Sequence, residues 1–223
     1  MRGIREMSAN YSCATGRFLA QQKTSTPIHK RAFDLALLAL ALPVILPVIL
    51  VLALIVKLTS RGPVFFVQSR VGQGGRRFRM VKFRSMYPDA EARRAALVAV
   101  SEREGLCFKH KSDPRVTPFG RVLRRASLDE LPQLWNVLKG EMSLVGPRPA
   151  LPEEVARYPQ AAMARLGGLP GLTGLWQVSG RADIGFDDMV AMDVEYLRTA
   201  SLRTDIGLIL RTVGAVASAR GAY

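Results

Sequence analysis

Two adjacent carboxylates, Asp129 and Glu130, lie in the segment SLDELPQLWNVLKG. Arginine side chains and free backbone N–H groups hold phosphate oxygens, a carboxylate can attack phosphorus to form an acyl phosphate, and Mg²⁺ prefers carboxylate oxygens. Acids among arginines also form ordinary surface ion pairs, which contribute little. The residue types therefore permit phosphoryl transfer without requiring it. The neighbouring arginines are Arg115, Arg121, Arg124, Arg125 and Arg148.

The same segment contains a helix-capping pattern, in which Ser127 would be the N-cap and Glu130 would bond back to it. Pro132 argues against this interpretation, because it would be the fifth helical residue, where its missing N–H costs a helix bond. Proline is favoured at the first helical position. We therefore predict that a helix begins near Pro132 and ends near Lys139, with both carboxylates at its N-terminal end.

The elements that position these acids are short. Two apolar runs, Val64–Val67 and Phe78–Phe83, flank a glycine-rich turn and predict a β-hairpin. A surface helix is expected over 88–104 and an amphipathic helix over 186–199. The largely apolar residues 205–218 predict a helix on a membrane surface. The predicted fold class is α+β, mainly helical, with a short β-hairpin and interfacial amphipathic helices.

Residues 35–56 carry no charged or polar side chain. As a helix they would extend about 33 Å, which matches the hydrocarbon core of a bilayer, and a soluble helix of this length would show a polar stripe. The segment therefore predicts membrane insertion. Pro43 and Pro47 leave two topologies open: a kinked spanning helix, since membrane helices tolerate proline, or a re-entrant helix that breaks near Pro47. Basic residues flank both ends and favour the cytoplasmic side.

Composition and these patterns predict three regions: a flexible lead (1–28), a membrane-inserted helix (29–60) and a cytoplasmic, membrane-associated domain (61–223), which the family resemblance described below implies is catalytic. The chain has 223 residues and a formal net charge of +14, which indicates an anionic partner. No basic motif interleaved with aromatic residues indicates nucleic acid. Two cysteines and two histidines argue against a disulfide framework or a zinc site.

Several stretches from about Lys30 to the C-terminus carry a family resemblance. The longest agrees in order, spacing and residue types over its whole length, whereas VKFRSM alone would be weak. The chain resembles the bacterial sugar transferases, the small monotopic phosphoglycosyl transferases. The matching stretches are KRAFDLALLALALPVILP, GPVFFVQSRVGQGG, VKFRSM, DPRVTPFGRVLRRASLDELPQLWNVLKGEMSLVGPRP and PGLTGLWQVSGR.

The resemblance implies transfer of a sugar 1-phosphate from a UDP-sugar, such as a UDP-hexose, to undecaprenyl phosphate. This would be the first membrane step of exopolysaccharide or related glycan biosynthesis, and it would require Mg²⁺. The resemblance makes Asp129 the nucleophile of a covalent phosphosugar–aspartate intermediate and a metal ligand, with Glu130 as its partner and proton carrier. The residues implied to bind phosphate or donor are Lys82, Arg115, Arg148 and Arg181.

The implied partners are undecaprenyl phosphate, a nucleotide-sugar donor and anionic lipid at the cytoplasmic face of the bacterial inner membrane. Formation of a homodimer is an open alternative. The resemblance favours re-entry at Pro47 and so adds a re-entrant membrane helix hairpin to the predicted fold class, but Leu46 stands where the family has serine. Leu169 likewise replaces a residue that is usually basic. The alternative function is a basic, membrane-anchored binding or assembly protein without catalysis, in which Asp129→Asn would leave function intact.

Overall fold

The structure, a computed structural model, describes residues 26–90, 92, 113–180 and 184–217. The predicted lead (1–28) and the predicted surface helix (88–104) lie mostly outside these residues. Arg181 lies wholly outside them.

Helix α1, Ile28–Thr59, is the one helix in the described part of the chain that is long and apolar enough to cross a membrane, with a mean hydropathy of 3.1 over its most apolar window. It runs without interruption through Pro43 and Pro47. The predicted break at these prolines is therefore not present as a gap in the helix. Its middle, residues 39–51, contains no buried side chain, as expected for a segment that contacts lipid.

Both ends of α1 contact the rest of the protein. Near the N-terminal end, the Lys30 ammonium lies 2.6 Å from the Asp205 carboxylate, and the buried Asp34 accepts a hydrogen bond of 2.7 Å from the Ser143 hydroxyl. Near the C-terminal end, two side chains pack into a core cluster of the domain: Leu52 and Val56. Helix α1 is therefore buried against the domain near both ends, whereas its middle is not.

Strands β1, Phe65–Val71, and β2, Arg77–Phe83, form the predicted antiparallel hairpin. The turn between them contains Gly74 and Gly75, whose φ angles are 65° and 77°. These left-handed angles favour glycine, because a side chain would be strained there.

Short helices and a second, two-stranded parallel sheet complete the domain. The predictions for 186–199 and 205–218 are confirmed as helices, although the second begins at Leu202. The remaining elements are α2 (Pro118–Arg125), a 3₁₀ segment (Leu128–Gln133), α3 (Leu134–Lys139), β3 (Ser143–Val145), α4 (Pro152–Val155), a second 3₁₀ segment (Gln160–Gly167), β4 (Gly171–Thr173), α5 (Leu175–Ser179), α6 (Phe186–Thr199) and α7 (Leu202–Ala217).

The segment with the two acids differs from its prediction. Ser127 has a left-handed backbone, with φ of 54°, and its side chain makes no capping hydrogen bond, so the capping box is absent. Helix α3 begins at Leu134, two residues after the predicted start near Pro132, and ends at Lys139 as predicted, while Leu128–Gln133 is a 3₁₀ turn. Pro132 lacks an N–H and fits inside this short turn without breaking a longer helix. Both acids therefore lie within the 3₁₀ turn that leads directly into α3.

Candidate active site

Helix α3 is held against strand β2 by one buried side chain. The Asn136 carboxamide accepts a hydrogen bond of 3.1 Å from the Val81 backbone N–H and donates one of 2.8 Å to the Arg79 carbonyl. Asn136 is fully buried, and its amide is satisfied by these bonds. As a result Lys82, the next residue of β2, lies beside the 3₁₀ turn that contains the two carboxylates.

Three cations and one carboxylate line a cleft at this place. The Lys82 ammonium lies 2.6 Å from Oε1 of Glu130, and the Arg148 guanidinium lies 3.9 Å from the same oxygen. The space in and at the mouth of the cleft, including open solvent, is about 210 Å³. The excess of positive charge in the cleft suits an anionic ligand such as a phosphoryl or diphosphate group. The polar side chains lining it are Arg70, Lys82, Glu130, Gln133, Arg148 and Gln177.

Asp129 lies behind Glu130 and is only 8% exposed, and it is not among the residues that line the cleft. Burial raises the pKa of Asp129 and the charge of Glu130 adds to this, while Lys82 and Arg124 oppose it. Burial also acts to raise the pKa of Glu130, but the charges of Lys82 and Arg148 outweigh it, and this pKa is lowered. Paired carboxylates with pKa values pushed apart can serve as acid and base.

Arg148 lies in the loop after β3, which packs tightly against β4. The Gly146 N–H donates to the Thr173 carbonyl at 2.9 Å, and the Gly171 N–H donates to the Pro147 carbonyl at 2.8 Å. A Cβ atom on Gly171 would lie 2.0 Å from the Gly146 nitrogen. The two backbones can approach this closely only because both positions are glycine.

Two further guanidinium groups hold the carbonyls of this loop. Arg70 donates to the Pro149 carbonyl at 3.0 Å, and Arg165 donates to the Arg148 carbonyl at 3.2 Å. Arg165 also forms a 2.5 Å ion pair with Asp193, and these side chains are 3% and 1% exposed. The backbone that carries Arg148 is therefore fixed from two sides.

The structure brings together three of the side chains predicted for the site, Lys82, Glu130 and Arg148, with Asp129 next to them. Arg115 is 5% exposed, forms a 2.7 Å ion pair with Asp113 and does not line the cleft. Arg181 lies outside the described residues.

Sequence reasoning did not select four residues near the acids as site residues. Three of them line the cleft and the fourth, Arg124, acts electrostatically on Asp129. All four lie in stretches that carried the family resemblance, GPVFFVQSRVGQGG, the long stretch from DPRV to GPRP and PGLTGLWQVSGR, so the signal was present. The four residues are Arg70, Arg124, Gln133 and Gln177.

The donor set at the acids suits magnesium. The described part of the chain contains no group of three or more His, Cys, Asp or Glu side chains that could hold a metal ion. Mg²⁺, however, is usually bound through one or two carboxylates together with substrate phosphates and water. Asp129 and Glu130 can supply two such carboxylates, so the residues present fit this ion.

A family model described as bacterial sugar transferase matches residues 25–219. The chain therefore belongs to the bacterial sugar transferase family, which confirms the resemblance.

Three relatives illustrate the range of this family. The chain is 48% identical to the galactosyl transferase CpsE of Streptococcus agalactiae over 72% of its own length and 36% of that protein. It is 39% identical to the exopolysaccharide production protein ExoY of Sinorhizobium fredii, covering 97% of the chain and 99% of the relative. It is also 39% identical to the UDP-glucose:undecaprenyl-phosphate glucose-1-phosphate transferase of Caulobacter vibrioides, covering 90% and 74%. The chain thus spans about a third of one relative and nearly all of another.

Proposed function

We propose that this protein transfers a sugar 1-phosphate from a UDP-sugar to undecaprenyl phosphate through a covalent phosphosugar–aspartate intermediate, in exopolysaccharide or related glycan biosynthesis. The observation that carries the proposal is the cleft, where Lys82 and Arg148 converge on the Glu130 carboxylate, next in sequence to Asp129. The name of the Caulobacter relative describes the same donor, acceptor and transferred group.

In the first step, an Asp129 carboxylate oxygen forms a bond to the phosphorus that carries the sugar. The bond from that phosphorus to the bridging oxygen breaks, and UMP leaves with the electron pair. In the second step, an oxygen of undecaprenyl phosphate attacks the same phosphorus and the Asp129 carboxylate leaves. Cationic side chains stabilise the charge that develops on the phosphate oxygens in both steps.

The pKa values of the two acids suggest how Asp129 is activated. Asp129 must be ionised to attack, and burial raises its pKa. Glu130 is the nearest base, and Lys82 and Arg148 keep it ionised. Because this makes Glu130 the weaker base of the pair, we infer that Asp129 loses its proton to solvent before the attack and that Glu130 stays ionised beside it as its charged partner. Low exposure of Asp129 also limits its contact with water, which would otherwise compete with the lipid phosphate for the intermediate.

Magnesium has a defined place in this scheme. Asp129 would hold the ion, and the bound ion would neutralise charge on the phosphate oxygens of the donor.

The contacts of α1 support a re-entrant topology at the cytoplasmic face of the inner membrane. Lys30 and Asp34 at one end and Val56 at the other all contact the same domain. A helix that crossed the bilayer would carry Lys30 to the opposite face, away from Asp205. Basic residues at both ends favour the cytoplasmic side. Cysteine labels near residues 28 and 60 are expected to react from the same side, and reaction from opposite sides would reject re-entry.

The proposed reaction is tested with the full chain in nanodiscs containing undecaprenyl phosphate and Mg²⁺. We expect UMP release from at least one UDP-hexose and loss of turnover in Asp129→Asn. Mass spectrometry of protein incubated with donor alone should find the phosphosugar on Asp129. A label on Glu130 would assign the nucleophile to that residue instead. Full turnover of Asp129→Asn, without any covalent label, would reject the covalent mechanism.

A further inference from the structure

Two polar groups in the cleft have no hydrogen-bond partner among the described residues. They are Nε of Arg70 and Oε1 of Gln177, both of which are buried. Buried polar groups in folded proteins are nearly always hydrogen-bonded, and an unmade bond costs free energy. Both side chains line the same cleft as Lys82 and Arg148. A ligand in this cleft is therefore their natural partner.

Arg70 carries a buried charge that no described ion pair neutralises, although the carboxylates of Glu154, Glu130 and Glu153 act on it electrostatically. Its two terminal nitrogens donate to the Pro149 carbonyl and, at 2.7 Å, to the Gln68 carboxamide, and no described carboxylate forms an ion pair with it. Burial and then the charge of Arg148 lower its pKa to about 10, so it stays charged at neutral pH. A poorly solvated guanidinium without a carboxylate partner is costly. An anionic ligand would remove this cost.

Gln177 requires a hydrogen-bond donor. Its Nε2 donates to the Leu172 carbonyl at 3.3 Å, which fixes the orientation of the amide and leaves Oε1 as the unpartnered atom. A carboxamide oxygen cannot bind a phosphate oxygen, since both are acceptors. The ligand must therefore carry an O–H or N–H group close to its anionic part.

We propose that Arg70 and Gln177 bind the nucleotide-sugar donor: Arg70 contacts the diphosphate, and Gln177 accepts a hydrogen bond from an O–H or N–H of the donor. The inference rests on the proposed function and extends it to donor recognition. In the donor, the sugar hydroxyls lie next to the transferred phosphorus, whereas the nucleobase lies beyond the second phosphate. We therefore assign the partner of Gln177 to a sugar hydroxyl, which makes Gln177 a specificity-determining residue.

The Gln177 contact is tested with the Gln177→Leu variant of the full chain in nanodiscs. Gln160→Leu, at an exposed position, is the matched control. The donors are UDP-glucose, a set of UDP-glucose analogues that each lack one hydroxyl, and UDP-glucose methylated at N3 of uracil. We expect about tenfold lower kcat/KM for UDP-glucose in Gln177→Leu. One deoxy analogue should react equally with wild type and Gln177→Leu, because the lost contact is the same.

The donor panel separates the sources of the hydrogen-bond donor. If wild type and Gln177→Leu had equal kcat/KM values only with the N3-methyl donor, Gln177 would bind the nucleobase, and the assignment to a sugar hydroxyl would be wrong. If Gln177→Leu lowered kcat/KM by the same factor for every donor, the proposed hydrogen bond between Gln177 and the donor would be rejected. Unchanged activity of Gln177→Leu with UDP-glucose would have the same consequence.

The Arg70 contact is tested by competitive inhibition in Arg70→Gln, with Arg79→Gln as the control, because Arg79 is an exposed arginine of the same hairpin. We expect the inhibition constant of UDP to rise about tenfold, while that of uridine is unchanged. Arg70 also supports the Arg148 loop, and loss of that support alone would lower the melting temperature and weaken both inhibitors equally. That pattern, or an unchanged UDP constant, would overturn the proposal.

The failure of this inference is distinguishable from the failure of the proposed function. Binding of UDP-glucose to Asp129→Asn, measured by calorimetry, does not require turnover. Weaker binding in the double variant with Gln177→Leu would support donor recognition even if the covalent mechanism were wrong. If wild type turned over UDP-glucose while Gln177→Leu and Arg70→Gln both bound it as tightly as wild type, the proposed function would be supported. The inference about donor recognition would then be rejected.

Discussion

The cleft and the ion pair behind it are both built from arginine and carboxylate, but their charges are balanced differently. Behind the cleft, Arg165 and Asp193 match one to one and are almost completely buried. In the cleft, the described lining has three cations and one carboxylate, and the Arg148 side chain is 39% exposed. The matched pair already has its partners, whereas the excess positive charge of the cleft can be neutralised by a ligand.

This difference separates residues that stabilise the loop from residues that contact its ligand. Arg165 donates to the backbone carbonyl of Arg148, so the buried pair positions a side chain that itself faces the cleft. Substitutions in the cleft should therefore reduce activity with little effect on stability. Substitutions in the buried pair should reduce stability first.

The largest effect is expected for Lys82→Met, which removes the cation next to both carboxylates. Loss of one group that stabilises charge in a transition state typically costs about 10²–10³ in kcat, and we expect a loss in this range, with a nearly unchanged melting temperature. The measurement is UMP release in nanodiscs. Lys139→Met is the control, because Lys139 pairs with Glu141 on the surface. Activity of Lys82→Met within threefold of wild type would contradict a role in the cleft.

The next effect tests the buried pair. Asp193→Ala leaves the Arg165 guanidinium buried without its carboxylate, and breaking such a pair costs about 3–5 kcal/mol. We expect a clearly lower melting temperature in detergent solution. Asp188→Ala, at an exposed position of the same helix, should melt like wild type. Equal melting of the two variants would show that the pair does not stabilise the fold.

These contrasts show what the sequence could predict. The hairpin and α6 follow from local patterns: alternating apolar runs around a glycine turn, and helical periodicity over one segment. The family stretches located Lys82, Glu130 and Arg148, because motifs mark a site even when the fold is not known. Membrane insertion of α1 followed from its composition, and its exposed middle agrees with that prediction.

Long-range partners were not predictable in the same way. The Arg165–Asp193 pair joins residues 28 positions apart, and Lys82–Glu130 joins residues 48 apart. No local pattern marks such pairs, because they form only when the chain folds. The start of α3 was misplaced for a related reason: the left-handed backbone of Ser127 and the 3₁₀ turn depend on packing against β2 rather than on helix propensity.

A smaller effect is expected for Arg148→Gln, since the Arg148 guanidinium is partly solvated and lies 3.9 Å from Glu130. We expect the KM for the UDP-sugar to rise about tenfold, because a charge-assisted bond to phosphate is lost. The melting temperature should change little, in contrast to Asp193→Ala. Arg157→Gln, at an exposed arginine, is the control. A melting temperature lowered as far as in Asp193→Ala would place Arg148 with the buried pair instead.

The smallest effect is expected for Arg124→Gln, because Arg124 acts on Asp129 and lowers its pKa. Replacing Arg124 with Gln removes this cation and raises the pKa of Asp129 further. Only the ionised carboxylate attacks, so a higher pH is then needed to form it. The acidic limb of kcat/KM should move to higher pH, so that the loss relative to wild type is larger on the acidic side of the profile than at its plateau.

Arg148→Gln provides the contrast for this pH shift, because Arg148 acts on Glu130 and is not among the main charges that act on Asp129. If Asp129 is the nucleophile, Arg124→Gln should move the acidic limb further than Arg148→Gln does, and Arg125→Gln, at an exposed neighbour, should not move it. If Glu130 attacked instead, the order of the two shifts would be reversed, because the ionisation of Glu130 depends on Arg148. The pH profiles therefore distinguish the two carboxylates without any substitution of either one.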